Sequence, residues 1–189
     1  MFSSKIERVI DAVDRLREQV DDHYQIPRDE AAILAQIVRM GRCVSICEIG
    51  TSYGFSTLHL ATATREHGGH VHSLDMNPKK FAAATRHLTE AGLTDVVSLY
   101  QGDARELLRS LSPPTPFDFA FIDADKSQSF EYLDLLLPKL APSYIIVTDN
   151  TTTHAQELAS FVTRLRELPG VTSCQVPIGN GFELTVRRS

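Results

Sequence analysis

The chain has 189 residues, 42% of them hydrophobic and 23% charged, with a net charge of -5. That length is expected to form one domain over 1–189 with a sizeable core. The acidic balance and lack of a basic block disfavour nucleic acid as the main partner, because phosphate binding draws on clustered Lys and Arg. No apolar run reaches about 18 residues, so no membrane span is expected.

The opening residues MFSSKIERVIDAVDRL carry acids and no apolar core segment, unlike a secretory leader, so the expected compartment is the cytoplasm. Ile6, Val9, Ile10, Val13, Leu16 and Val20 recur at helical spacing and predict a helix within 1–25, for packing or a dimer contact. Residues 29–41 predict a second helix, with Asp29 at its N-cap. From there strand and helix alternate. CVSICEI (43–49) reads as a strand and 56–65 as a helix. HVHSLD (70–75) is followed by a helix over 78–91, opened by Asn77 with proline in the first turn and closed by Gly92. VVSLYQ (96–101) precedes a short helix through Leu107 and Leu108. FDFAFID (117–123) leads to a helix over 130–140, and SYIIVTD (143–149) to one over 154–168. Two closing strands, CQVPI and FELTVRR, flank the turn GNG. The alternation predicts an α/β fold, a mostly parallel seven-stranded sheet with helices on both faces and an antiparallel C-terminal strand. Cys43, Cys47 and Cys174 are odd in number and lack CxxC spacing, so they are expected to be buried free thiols in a reducing compartment.

In such sheets ligands bind at the carboxyl ends of the strands. EIGTSYGFS (48–56) ends the first strand; its glycines permit a sharp turn and close ligand approach, and the helix start favours an anion. The dinucleotide fingerprint GxGxxG is absent, since Ser52 and Tyr53 stand in that stretch. Asp75 ends the second strand and can accept from ribose hydroxyls or cap the next helix. Asp103, in QGDA, can bond an adenine amine or cap a helix. The fourth strand stops on charge, FIDADK, with Asp123, Asp125 and Lys126. The fifth stops on Asp149 and Asn150. Neighbouring parallel strands bring these ends together, and their oxygen donors suit a hard cation.

EIGTSYGFS, SLDMNP, QGDA, FIDADK and VTDN follow the order and spacing of the cation-dependent S-adenosylmethionine O-methyltransferases, which the chain resembles from about residue 26 onward. That family includes catechol and caffeoyl-CoA O-methyltransferases. The resemblance implies that Glu48, Gly50 and Ser56 line the methionine part of S-adenosylmethionine, that Asp75 holds its ribose, and that Met76, Asp103 and Ala104 border its adenine. It implies that Asp123, Asp149 and Asn150 ligate Mg2+ (or Ca2+ or Mn2+), with Asp123 also near the cofactor amine. Lys126 matches the family's general base; Asp125 matches no assigned role. The implied reaction is an in-line methyl transfer to a hydroxyl of a small catechol-like vicinal diol.

The chain departs from the family pattern in two places. The segment before residue 26 is abbreviated. After Asn150 the usual apolar stretch with tryptophan is replaced by TTTHAQELASF, which implies a more open acceptor site; His154 there reads as a solvated residue of the first helical turn. His70 and His72 read as structural. Three other readings compete: methylation of a hydroxylated uridine in tRNA, a nicotinamide-dependent oxidoreductase, and a non-catalytic S-adenosylmethionine-binding module. The missing fingerprint weighs against the oxidoreductase, and Lys126 with the oxygen set weighs against the module.

Overall fold

The computed structural model describes residues 4–188. Seven strands form one sheet: β1 (Ser45–Ile49), β2 (His70–Asp75), β3 (Val97–Gln101), β4 (Phe117–Ile122), β5 (Leu140–Thr148), β6 (Val171–Val176) and β7 (Phe182–Arg187). Their spatial order is β3-β2-β1-β4-β5-β7-β6. Pairing is parallel from β3 across to β5, and β7 runs antiparallel between β5 and β6. The predicted fold is therefore observed, with the closing hairpin folded back so that its second strand, not its first, pairs with β5.

Among the described residues seven α-helices accompany the strands: α1 (Ser4–Asp14), α2 (Arg28–Gly41), α3 (Phe55–Arg65), α4 (Pro78–Ala91), α5 (Ala104–Ser110), α6 (Ser129–Leu136) and α7 (Ala155–Arg166). The sheet separates two apolar cores. α1 to α4 lie over one face, where Leu34, Val38, Leu58, Phe119 and Phe121 pack; α5, α6 and α7 cover the other, around Leu108, Phe117, Leu133 and Phe161. Phe117 and Phe119 would share a face under strict alternation, yet they lie in different cores. The pairing with β5 is irregular between them, with Leu140 and Ile145 as their respective partners. The apolar stripe of α1 is buried through Ile10 and Val13, and α1 packs on α4 and α3. That face serves intrachain packing.

Local chemistry explains the element ends. Asn77 Oδ1 accepts from the N–H groups of Lys79 and Lys80, and Gly92 closes α4 in a left-handed conformation, both as predicted. The second helix starts one residue earlier than expected. Pro27, not Asp29, stands at its N-cap position, and Asp29 lies within the first turn, where a carboxylate favours the helix dipole. The first helix gives way at Arg15 to a 3-10 turn. β6 begins at Val171, before the expected Cys174, and is the sheet's edge strand. Edge position leaves Cys174 exposed, which corrects the expectation of three buried thiols; Cys43 and Cys47 are buried. Among the described residues no helix is long and apolar enough to cross a membrane.

Candidate active site

The carboxyl ends of β1, β2, β4 and β5 open into one cavity of about 810 Å³. That is room for more than one small molecule. Gly50, Asp75, Met76, Asp103, Ala104, Asp123, Lys126, Asp149 and Asn150 all line it, so nine of the residues singled out in the sequence share one space.

The turn after β1 forms one wall. Gly50 has φ +108°, and a side chain there would overlap the Asp123 carbonyl oxygen, so the backbone of β4 passes where only glycine fits. Gly50 and Thr51 donate their N–H groups to Leu74 O at 2.9 and 3.2 Å, which ties the turn to β2. Asp75 fixes the other side: one carboxylate oxygen accepts from Ser52 N at 2.6 Å, the other from Asn77 N at 2.7 Å. Its carboxylate thus holds both the turn and the start of α4 while facing the cavity. Met76 is 72% exposed on the rim. Asp103 caps α5 through Arg105 N at 2.8 Å and pairs with the Arg105 guanidinium at 2.7 Å. Those bonds hold its carboxyl well below the usual range, at about 2. The capping role is observed; the rim position leaves a ligand contact open as well.

Glu48 and Ser56 lie under the cavity wall, not on it. Glu48 is fully buried, and its carboxylate accepts from Ser56 and Thr57 at 2.5 Å each and from Ser73 at 2.5 Å. Burial pushes its pKa up to about 7 against those three donors. This polar knot supports the glycine turn from below.

The charged end of β4 faces that of β5. Asp149 N donates to Ile122 O at 3.1 Å, which sets Asp123 and Asp149 on adjacent strand ends. Lys126 Nζ donates to Asp123 Oδ1 at 3.0 Å. Asp125 explains that geometry. It caps the 3-10 turn Lys126–Gln128, accepting from Ser127 N and Gln128 Nε2 at 3.0 Å each, and so turns Lys126 back over Asp123. Burial raises Asp123 to about 6; Lys126 opposes the rise and Asp149 adds to it. Asp149 is raised to about 8, by burial first and then by the Glu30 carboxylate beside it. Asn150 follows with φ +67°, a left-handed conformation uncommon outside glycine.

This donor set fits a hard cation. Two mostly shielded carboxylates repel one another, Asp149 Oδ1 is buried without any hydrogen-bond donor, and a side-chain amide stands next in the chain. All the donors are oxygens. Among the described residues no group of three His, Cys, Asp or Glu side chains is arranged to hold a metal; the expected set has only two such residues, its third being an amide.

Tyr24, Lys80 and Asn180 are among the lining residues that carried no functional reading in the sequence. Tyr24 roofs the cavity on a strap before α2, and Lys80 Nζ sits 4.7 Å from its ring centroid. Asn180, from the GNG turn, donates Nδ2 to Asp149 Oδ2 at 3.3 Å. No pattern in the sequence marked them, since each acts through tertiary proximity. His154 stands at the N-cap position of α7, is exposed and lines the cavity near Asn150. His70 and His72 lie outside the cavity, bonded to Ser98 Oγ and Tyr100 Oη.

The O-methyltransferase family pattern matches residues 6–188. The chain belongs to the O-methyltransferase family. Catechol O-methyltransferase of Niastella koreensis is 34% identical over 124 residues, covering 65% of this chain and 56% of that protein. Caffeoyl-CoA O-methyltransferase of Populus kitakamiensis is 30% identical over 129 residues, covering 67% and 54%. The chain thus spans little more than half the length of these two relatives. An O-methyltransferase from Bacillus cereus, solved in complex with SAH, superimposes with a TM-score of 0.85 at 25% identity, covering 100% of this chain and 92% of that one. The superposition covers the whole of this chain, the closing hairpin included.

Proposed function

We propose that this protein transfers the methyl group of S-adenosylmethionine to a hydroxyl oxygen of a small catechol-like vicinal diol, with a divalent cation, Mg2+ first, held by Asp123, Asp149 and Asn150. One observation carries the reading: the Lys126–Asp123 pair and Asp149 occupy the same cavity as the Gly50 turn, Asp75 and Ala104. The reaction forms an O–CH3 bond and breaks the C–S bond, leaving SAH and a methyl ether, and the hydroxyl proton passes to a base.

In this reading Asp75 accepts from the ribose hydroxyls, and Met76 and Ala104 flank the adenine. The Gly50 turn lets the sulfonium approach the backbone closely. A bound cation would lower the pKa of a hydroxyl oxygen attached to it. Lys126, as the neutral amine, receives the proton; its side chain is only 15% exposed and is aimed by the Asp125 cap and by Asp123. The polar rim at His154 and Glu157 gives the acceptor end an open mouth.

The test is a methyl-transfer assay over a panel of catechols and hydroxylated nucleosides, with and without EDTA. Methylation of a catechol that stops with chelator and returns with Mg2+ supports the reading. Full activity in EDTA, or turnover of the nucleosides alone, refutes it.

A further inference from the structure

Two residues separated by 150 positions meet behind Asp149. Glu30, in the first turn of α2, is 0% exposed. No Lys or Arg pairs with it among the described residues. Its Oε2 accepts the Asn180 backbone N–H at 3.0 Å. Its other oxygen, Oε1, is buried with no donor, and its carboxylate lies within hydrogen-bond reach of the Asp149 carboxylate. Asn180 in turn gives Nδ2 to Asp149 Oδ2 at 3.3 Å.

The same turn grips the segment that follows the strand end. Thr151 N donates to Gly181 O at 2.8 Å, and Thr152 N and Thr153 N donate to Asn180 O at 3.1 and 3.2 Å. The fit is close on both sides. A side chain at Gly179 would overlap Glu30 Oε2, and one at Gly181 would overlap Thr152 Oγ1. α2, β5 and the β6–β7 turn are therefore joined through polar groups at Asp149, whose Oδ1 is buried without a hydrogen-bond donor.

A buried carboxylate without a cationic partner is costly, and an apolar residue would serve the packing of α2 better. Placement behind a ligand gives it a use. Side chains that bond a metal's ligands fix the ligands' orientation, and their loss weakens metal binding.

We propose that Glu30 and Asn180 are positioning residues that jointly orient the Asp149 carboxylate toward a divalent cation. The proposal rests on the cation reading above. Asn180 holds one oxygen of Asp149 by its amide. Glu30 holds the backbone of Asn180 and limits how far Asp149 can rotate toward α2.

The competing explanation is a purely structural clamp, and metal affinity separates the two. Mn2+ binding is measured by electron paramagnetic resonance in the presence of SAH, with SAH affinity and melting temperature followed in the same proteins. Asn180→Ala keeps the backbone link to Glu30 but removes the amide; it is expected to weaken Mn2+ binding about 10- to 100-fold while SAH affinity holds. Glu30→Leu is expected to do the same. Glu30→Gln keeps an acceptor for Asn180 N–H and offers an N–H to Asp149, so it should bind Mn2+ nearly as the unaltered protein does. If Glu30→Leu does not fold, Asn180→Ala and Glu30→Gln carry the test. Unchanged Mn2+ affinity in Asn180→Ala overturns the positioning role and leaves the cation reading standing. Failure of the unaltered protein to bind Mn2+ overturns both.

Discussion

Lys126 Nζ lies 3.0 Å from Asp123 Oδ1, with both side chains mostly shielded, at 15% and 16% exposure. A lysine four residues beyond the end of β4 is thereby folded back over that end. The pair sets a base against an acid that the reading assigns to the cation.

Substitution of Lys126 separates binding from chemistry. Lys126→Ala should lower kcat by about 10²–10⁴-fold, the usual worth of a general base, with SAH affinity nearly unchanged. Lys126→Arg keeps a positive partner for Asp123 but cannot accept a proton, and it should be as inactive. Steady-state kinetics on an accepted catechol decide; a working arginine variant removes the base role.

Cation and pH act on stability together. Asp123 and Asp149 have raised folded-state values, about 6 and about 8, against 3.8 unfolded. A raised carboxylate favours the folded state below the unfolded value, and that contribution is lost as pH climbs to the folded value. The metal-free protein should therefore lose stability from these groups between about pH 4 and pH 8. A divalent cation needs the ionised carboxylates and relieves their repulsion, so Mg2+ should raise Tm more at pH 8.5 than at pH 5. Thermal melts with EDTA or Mg2+ across that range test this; an increment that is flat with pH counts against the site.

Glu48 offers a stability prediction remote from the cation. Glu48→Leu leaves the Ser56, Thr57 and Ser73 hydroxyls without their acceptor. At about 1–3 kcal/mol for each buried group left unpaired, the loss should be large. Glu48→Gln retains an acceptor and should be milder. Because burial lifts Glu48 from 4.5 to about 7, the stability of Glu48→Gln relative to the native protein should rise as pH passes through that window. Urea unfolding at pH 5 and pH 8 measures both effects.

Two glycines make a matched comparison. Gly50 and Gly68 both have positive φ, but a side chain at Gly50 meets the Asp123 backbone, and at Gly68 it meets nothing within 4 Å. Gly68→Ala should cost about 1–2 kcal/mol, the backbone penalty alone. Gly50→Ala adds a backbone clash of about 1–3 kcal/mol or more and should also abolish SAH binding, because relief of the clash moves the turn. Calorimetric SAH titration beside urea melts would show whether the losses diverge.

Much of this was legible in the chain. Period-two apolar runs and helical stripes separated by Gly and Pro punctuation marked each strand and most helices. The residues that end strands, Asp75, Asp123 and Asp149, could be named because a parallel sheet must present its carboxyl ends together. Boundaries slipped where local signals competed, as when Pro27 displaced Asp29 at the start of α2. Cys174 was misjudged because an apolar run does not say which strand lies at the edge.

The sequence by itself determined the periodicity, the caps and the order of chemical groups along the chain, since these depend on neighbours within a few residues. Only the tertiary structure decided that β7 enters between β5 and β6, that Glu48 and Ser56 sink beneath the cavity wall, and that Glu30 and Asn180 meet at Asp149. The physical reason is separation. Contacts across 150 residues arise from how the sheet twists and how its hairpin folds back, and no local pattern of polarity encodes which buried acid will face which amide.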